Sequence, residues 1–276
     1  MPRGPYPCLA LPVKPRSPAL PPQWHESQSF QPTGIKLCPS LPRQHERIIG
    51  GSVASINSYP FAASLQITTN GVHFRHQCGS TIINNRAILS AAHCWPVNAA
   101  ANRYRVRVGS PNISSGGRQH NVAQLFRHSQ YNPRNHDNDI GVIRVSTAFP
   151  LGSATIRAAS LAGTNTNVPD NSDVIAIGWG ATVHNGQPSE QLRHVAIRMV
   201  NQVRCNTDFR GTITANMMCA GWPGRGICFG DSGTGLVFNN VVVGVSSHIH
   251  WDGCNSNWPG VFTRISRYTA WIRNHS

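Results

Sequence analysis

The sequence predicts an all-β domain of the barrel or sandwich type, closed by a C-terminal helix and preceded by an irregular extension. Three observations carry this. Val- and Ile-rich runs of four to eight residues recur from Ile48 onward; Gly, Asn, Ser and Pro separate them; and helical spacing of apolar residues is confined to the last 11 residues.

The extension comes first in the chain. Residues 1–47 hold 11 of the 20 prolines, as in MPRGPYPCLALPVKPRSPALPP. Each pyrrolidine ring removes a backbone donor and fixes φ, so neither a helix nor a strand ladder propagates through the segment. The boundary is therefore set at 47/48, and residues 48–276 are long enough to bury a sizeable core. Within them VASINSYPFAASLQITTNG, RYRVRVGS, DVIAIGWG and NNVVVGVSS read as strands bounded by turns. The end, SRYTAWIRNHS, reads as the one helix, with Ser266 as its expected cap and Tyr268 and Ile272 four apart on one face.

Charge and cysteine usage exclude several classes of function. The chain carries a net charge of +14, and from Ile48 onward 18 Arg and no Lys stand against 8 Asp and Glu. The arginines are scattered singly, with no basic run or aromatic platform, which argues against nucleic acid as a partner. Arginine in place of lysine predicts something else. A guanidinium stays protonated beyond about pH 12, whereas an ammonium is lost at about pH 10.4, so the composition predicts work at strongly alkaline pH. No apolar run reaches the roughly 18 residues of a membrane span, and CLALPV is too short and proline-broken to be the centre of a secretory signal. Compartment is read from the cysteines instead. Cys8, Cys38, Cys78, Cys94, Cys205, Cys219, Cys228 and Cys254 are even in number, and none forms the close C-x-x-C pairs of zinc sites. A disulfide-bonded, exported protein without a metal is expected, with the pairing left open by spacing alone.

Three segments carry the chemistry. SAAHCW places His93 between small residues and Cys94; NHDNDIGVIRV places Asp139 at the head of an apolar strand; GRGICFGDSGTG places Ser232 among five glycines. A serine hydroxyl is a poor nucleophile at neutral pH until an imidazole takes its proton and a carboxylate holds that imidazole in the right tautomer. With RIIGG at 47–51, GWG at 178–180 and PGVFTRISRYTAWI at 259–272, these segments make residues 48–276 resemble the trypsin and chymotrypsin family of serine endopeptidases. NNRAILSAAHC, DNDIGVIR and EQLRHVAIRMVNQ are similar to its digestive members in moths and butterflies.

The resemblance implies two six-stranded antiparallel β-barrels of the chymotrypsin-like fold, with the active site between them and the C-terminal α-helix behind. It implies His93, Asp139 and Ser232 as catalytic residues, and the N–H groups of Gly230 and Ser232 as the oxyanion hole. It pairs Cys78 with Cys94, Cys205 with Cys219, and Cys228 with Cys254, leaving Cys8 and Cys38 bonded to each other or free. Cleavage after Arg47 by a trypsin-like protease would free the amino group of Ile48 to pair with Asp231, so the zymogen would become active. No cofactor is implied. Protein and peptide substrates are the expected partners, with protein protease inhibitors as further ones, for a monomer secreted into the gut lumen.

The primary pocket departs from the trypsin branch. That branch carries an aspartate six residues before the serine; this chain has Gly226 there, followed by Ile227, and Gly260 offers no compensating acid. A guanidinium buried without a counter-charge is disfavoured by several kcal/mol, so uncharged side chains are expected before the scissile bond. Ser247 matches the serine beside the triad, and Ile249 stands where a glycine usually admits large rings, which favours small or aliphatic residues over aromatic ones. After the nucleophile, Thr234 and Gly235 replace the family's usual Gly-Pro. Thr234 keeps a second reading open, a catalytically weak relative that binds proteins through its basic surface. Asn112, in NIS, fits a glycosylation acceptor, the loop GSPNISSGGRQH lacks the carboxylates that calcium needs, and histidines other than His93 are expected to be solvated.

Overall fold

The computed structural model describes residues 49–254 and 257–276. Arg47 and Ile48, the expected cleavage pair, lie outside them, as do Cys8 and Cys38.

A short edge strand, β1 (Ser52–Val53), precedes the first barrel. That barrel is made of β2 (Ala62–Thr68), β3 (Phe74–Ile82), β4 (Ala87–Ser90), β5 (Tyr104–Val108), β6 (Arg118–Arg127) and β7 (Gly141–Val145). The strand order is β2-β3-β4-β7-β6-β5, and pairing of Ala63 with Val108 through Ile67 with Tyr104 closes the ring. Closure removes the exposed ladder edges that an open sheet would present. Polar members of buried β2 are satisfied inside the barrel wall: the Ser64 hydroxyl meets His76 Nδ1 at 2.8 Å, and Gln66 donates to the Ile113 carbonyl at 2.7 Å.

The second barrel follows β8 (Ser160–Leu161) and comprises β9 (Asp173–Gly178), β10 (Arg193–Val200), β11 (Met217–Gly221), β12 (Gly235–Phe238), β13 (Val241–His248) and β14 (Gly260–Arg264). It closes through β9, which pairs with both β10 and β12. The side-chain period of two is plain in β10, where Arg193, Val195, Ile197 and Met199 are buried while Ala196 and Arg198 face solvent. All ladders within both barrels are antiparallel; β8 adds one short parallel pairing to β13.

Two helical expectations need correction. A second helix, α1 (Gln202–Asp208), follows β10, and the Asn201 side chain caps it by accepting from the amides of Val203 and Arg204. Its seven residues bury only Cys205, too little apolar surface for a periodic signal. At the end of the chain α2 (Thr269–His275) starts after Tyr268, and Ser266 sits in a preceding 3₁₀ turn rather than at the cap. Tyr268, at the cap, and Ile272, one turn later, are both buried.

The disulfides are Cys78–Cys94, Cys205–Cys219 and Cys228–Cys254. The first joins β3 to the turn that carries His93. The barrels meet through polar contacts as well: Thr263 Oγ1 of β14 donates to the Asp139 carbonyl at 2.7 Å, and the Gly79 amide of β3 donates to the Ser232 carbonyl at 2.8 Å. Between β5 and β6 the loop 110–117 folds around the buried Arg107 guanidinium, which donates to the carbonyls of Gly116 and Ser114, while Glu190 accepts from the Ser114 hydroxyl at 2.5 Å.

Candidate active site

His93 lies in a 3₁₀ turn, Ala92–Cys94, fixed by the disulfide of its neighbour Cys94 to β3. Asp139 is fully buried just ahead of β7. Its Oδ1 accepts from the His93 amide at 2.9 Å, and its Oδ2 meets His93 Nδ1 at 2.7 Å and accepts from Ser247 Oγ at 2.6 Å. Burial alone would raise the Asp139 pKa; the bonds from His93 and Ser247 outweigh it and hold the carboxyl below the usual range. A β-bulge between Ser246 and His248 turns Ser247 toward this carboxylate.

Ser232 and His93 line one pocket of about 220 Å³. Among the described residues no hydrogen bond links their side chains, so the structure brings the pair together without joining it. The turn that presents Ser232 needs its glycines: Gly233 has φ of 84°, and a Cβ there would run into Ser90 Oγ and the Gly79 carbonyl. Among the described residues, the amides of Gly230 and Ser232 have no hydrogen-bond acceptor.

Asp231 points away from this pocket. It is fully buried and accepts from the amides of Gly180 at 2.7 Å and Cys228 at 2.9 Å. No basic side chain pairs with it among the described residues, and burial, only partly opposed by those amides, pushes its carboxyl up to about 7. Beside it the imidazole of His76 meets the Gly230 carbonyl through Nε2 at 2.9 Å, and the Ser64 hydroxyl through Nδ1. Burial drives His76 down to about 4, the Gly230 bond opposing, so the ring is neutral. A neutral ring offers one donor and one acceptor; the carbonyl demands the proton on Nε2, so Nδ1 accepts from Ser64.

The expectation that histidines other than His93 are solvated is therefore wrong for several. His76, His120 and His250 are buried, and His248 stacks on His136 with ring centroids 4.8 Å apart beside His93. Burial pushes His248 down to about 3, helped by His136. Both rings line the pocket, and neither was singled out by sequence, because their partners lie far along the chain. His93, His136 and Asp139 bring donor atoms within 4.8 Å of one another. The His93–Asp139 hydrogen bond already occupies two of them, which suits proton transfer better than metal ligation.

Of the expected pocket residues, Ile227, Ser247 and Ile249 line the cavity with His93 and Ser232, and no lining residue among those described is acidic. Gly260 stands behind Ile227, where a Cβ would fall 2.6 Å from Ile227 Cγ1. Gly226 is buried, donates its N–H to the Ile49 carbonyl at 3.2 Å, and has open space where a Cβ would be.

A family model described as Trypsin matches residues 48–272. The chain belongs to the trypsin family. Trypsin CFT-1 of Choristoneura fumiferana is 47% identical over 242 residues, covering 85% of this chain and 93% of that protein. The alkaline trypsin C of Manduca sexta is 44% identical over 251 residues, covering 88% and 96%. Among solved structures, the mouse brain serine protease neuropsin superimposes with a TM-score of 0.72 at 31% identity, covering 81% of this chain and 97% of that one. The trypsin-family chain is thus a serine-type endopeptidase with the two-barrel fold, acting on peptide bonds.

Proposed function

We propose that this trypsin-family protein is a secreted digestive endopeptidase working at alkaline pH, with Ser232 as nucleophile, His93 as base and acid, and Asp139 as the orienting carboxylate. The observation that supports this most is the His93–Asp139 pair at the rim of the pocket that Ser232 also lines. Ser232 Oγ attacks the substrate carbonyl carbon while its proton passes to His93 Nε2, and Asp139 keeps Nδ1 protonated and stabilises the imidazolium. The oxyanion takes the free N–H groups of Gly230 and Ser232, and loss of one such donor typically costs about 100- to 1,000-fold in rate. Collapse expels the amine with the proton from His93; water then repeats the sequence on the acyl-enzyme.

Activation follows from Asp231. An amino group freed at Ile48 by a trypsin-like protease would supply the cation that this buried carboxyl lacks among the described residues. From Ile48 onward the chain has no lysine, so that amino group is its one amine, and an amine-selective reagent reports it directly. The pocket without an acid selects uncharged residues, with small and aliphatic ones ahead of aromatic ones because Ile249 stands at its wall. The two insect relatives carry the name trypsin; this preference rests on Gly226 and Ile227 of this chain. The alkaline setting rests on its lysine-free composition and on the name of the Manduca protein.

A serine-directed phosphonate tests the core of the reading. It should modify Ser232 after cleavage at Arg47 and fail on the intact chain, and peptides with Ala, Leu or Phe before the scissile bond should be cut in preference to Arg. A cleaved chain that does not react is a binding protein instead, and dominant cleavage after Arg overturns the pocket argument.

A further inference from the structure

Thr234 departs from the Gly expected after the nucleophile, and the structure gives it specific contacts. Its hydroxyl donates to the Asp231 carbonyl at 2.6 Å, its amide to the same oxygen at 3.1 Å, and its carbonyl accepts from the Ser246 amide at 2.8 Å. Thr234 is buried, and with its hydroxyl fixed the β-branched side chain has one direction left for its methyl. The methyl rests on the bare Cα of Gly79 in β3, where any Cβ would run into Thr234 Cγ2.

Gly79 is also the residue that holds the Ser232 carbonyl, and its own carbonyl accepts from Ser90 Oγ at 2.8 Å. It follows Cys78, whose disulfide partner Cys94 follows His93. A continuous path therefore runs from the turn of Ser232 through Thr234, Gly79 and Cys78–Cys94 to His93. We propose that Thr234 and Gly79 form a matched pair across the two barrels, in which Thr234 is a positioning residue that sets the distance of Ser232 from His93. The hydroxyl fixes the peptide before Ser232 and the methyl fixes the strand that holds the peptide after it. This rests on the reading of Ser232 as nucleophile.

Thr234→Val keeps the shape and removes the hydroxyl; Thr234→Ser does the reverse. Misplacement of reacting groups by about 1 Å can cost about 100-fold, so Thr234→Val should lower kcat about tenfold with KM unchanged, and Thr234→Ser should recover most of it. Gly79→Ala should lose at least about 100-fold in kcat alone, yet cost far less in a Thr234→Gly background, where the new methyl has room. Overpacking at this contact should lower Tm by roughly 2–12 °C for a domain of this size, and this loss too should shrink in the double variant. Wild-type kcat in Thr234→Val, or equal damage from Gly79→Ala in both backgrounds, overturns the pair. Phosphonate labelling of the parent separates the two failures: without it the nucleophile reading falls, while the Tm cycle still tests the contact.

Discussion

Ser247 Oγ donates to the Asp139 oxygen that also holds His93 Nδ1. One carboxylate oxygen thus serves two partners from different barrels, at 2.6 and 2.7 Å. A hydrogen bond to a charged group is worth about 1.5–3 kcal/mol, so Ser247→Ala should lower kcat/KM by roughly tenfold or more, read on a good peptide substrate. Asp139→Asn leaves the imidazole in the wrong tautomer and should lower kcat by about 10⁴-fold near neutral pH. The folded-state pKa of Asp139 lies below its unfolded value, so its contribution to stability is present above about pH 4 and is lost as pH falls through the folded value. Ser247→Ala should raise the pH midpoint of acid unfolding.

The sign is opposite for Asp231. Its folded pKa is about 7, above the unfolded value of about 3.9. The intact chain is then most stable below about pH 4 in this respect and loses stability as pH rises through about 7, by a few kcal/mol in all. Denaturant titrations of intact Ser232→Ala protein should show this fall between pH 4.5 and 8, and Asp231→Asn should abolish it. After cleavage at Arg47, a pairing Ile48 ammonium should reverse the trend, up to the pH at which that amine is lost.

Pocket shape gives a third expectation. A Cβ on Gly226 meets nothing within 4 Å, so Gly226→Asp should fold and raise cleavage after Arg relative to Ala. Ile249→Gly should open the wall and improve Phe over Ala by roughly tenfold, the scale of a methylene or two in an apolar pocket. Competing peptides in one digest measure both ratios.

Arg107 gives a fourth. Its guanidinium is buried under the loop 110–117 and tied to Gly116 and Ser114. Arg107→Met would leave those carbonyls without their donors, at about 1–3 kcal/mol, and should lower Tm and expose the loop to proteolysis while kcat stays near wild type.

Much of this was legible in the chain because it is written locally. Short β-branched runs with turns between them predict the strands. His93, Asp139 and Ser232 each sit in a distinctive segment. What stayed hidden depends on contacts remote in sequence. His76 finds Gly230 across 154 residues, and nothing in FRHQCGS distinguishes it from a surface histidine. His136 and His248 stack only once the barrels are in place. α1 is too short for a periodic signal, and its Asn201 cap emerges only from the structure. Thr234 looked like a flaw because the glycine that accommodates it belongs to the other barrel.

The Gly79 amide that holds the Ser232 carbonyl spans two halves that each close on themselves. Turnover therefore gauges whether the halves are docked, and not merely whether either is folded. Were they to part under mild denaturant while each ring of strands survived, peptide cleavage would stop before the far-ultraviolet strand signal changed.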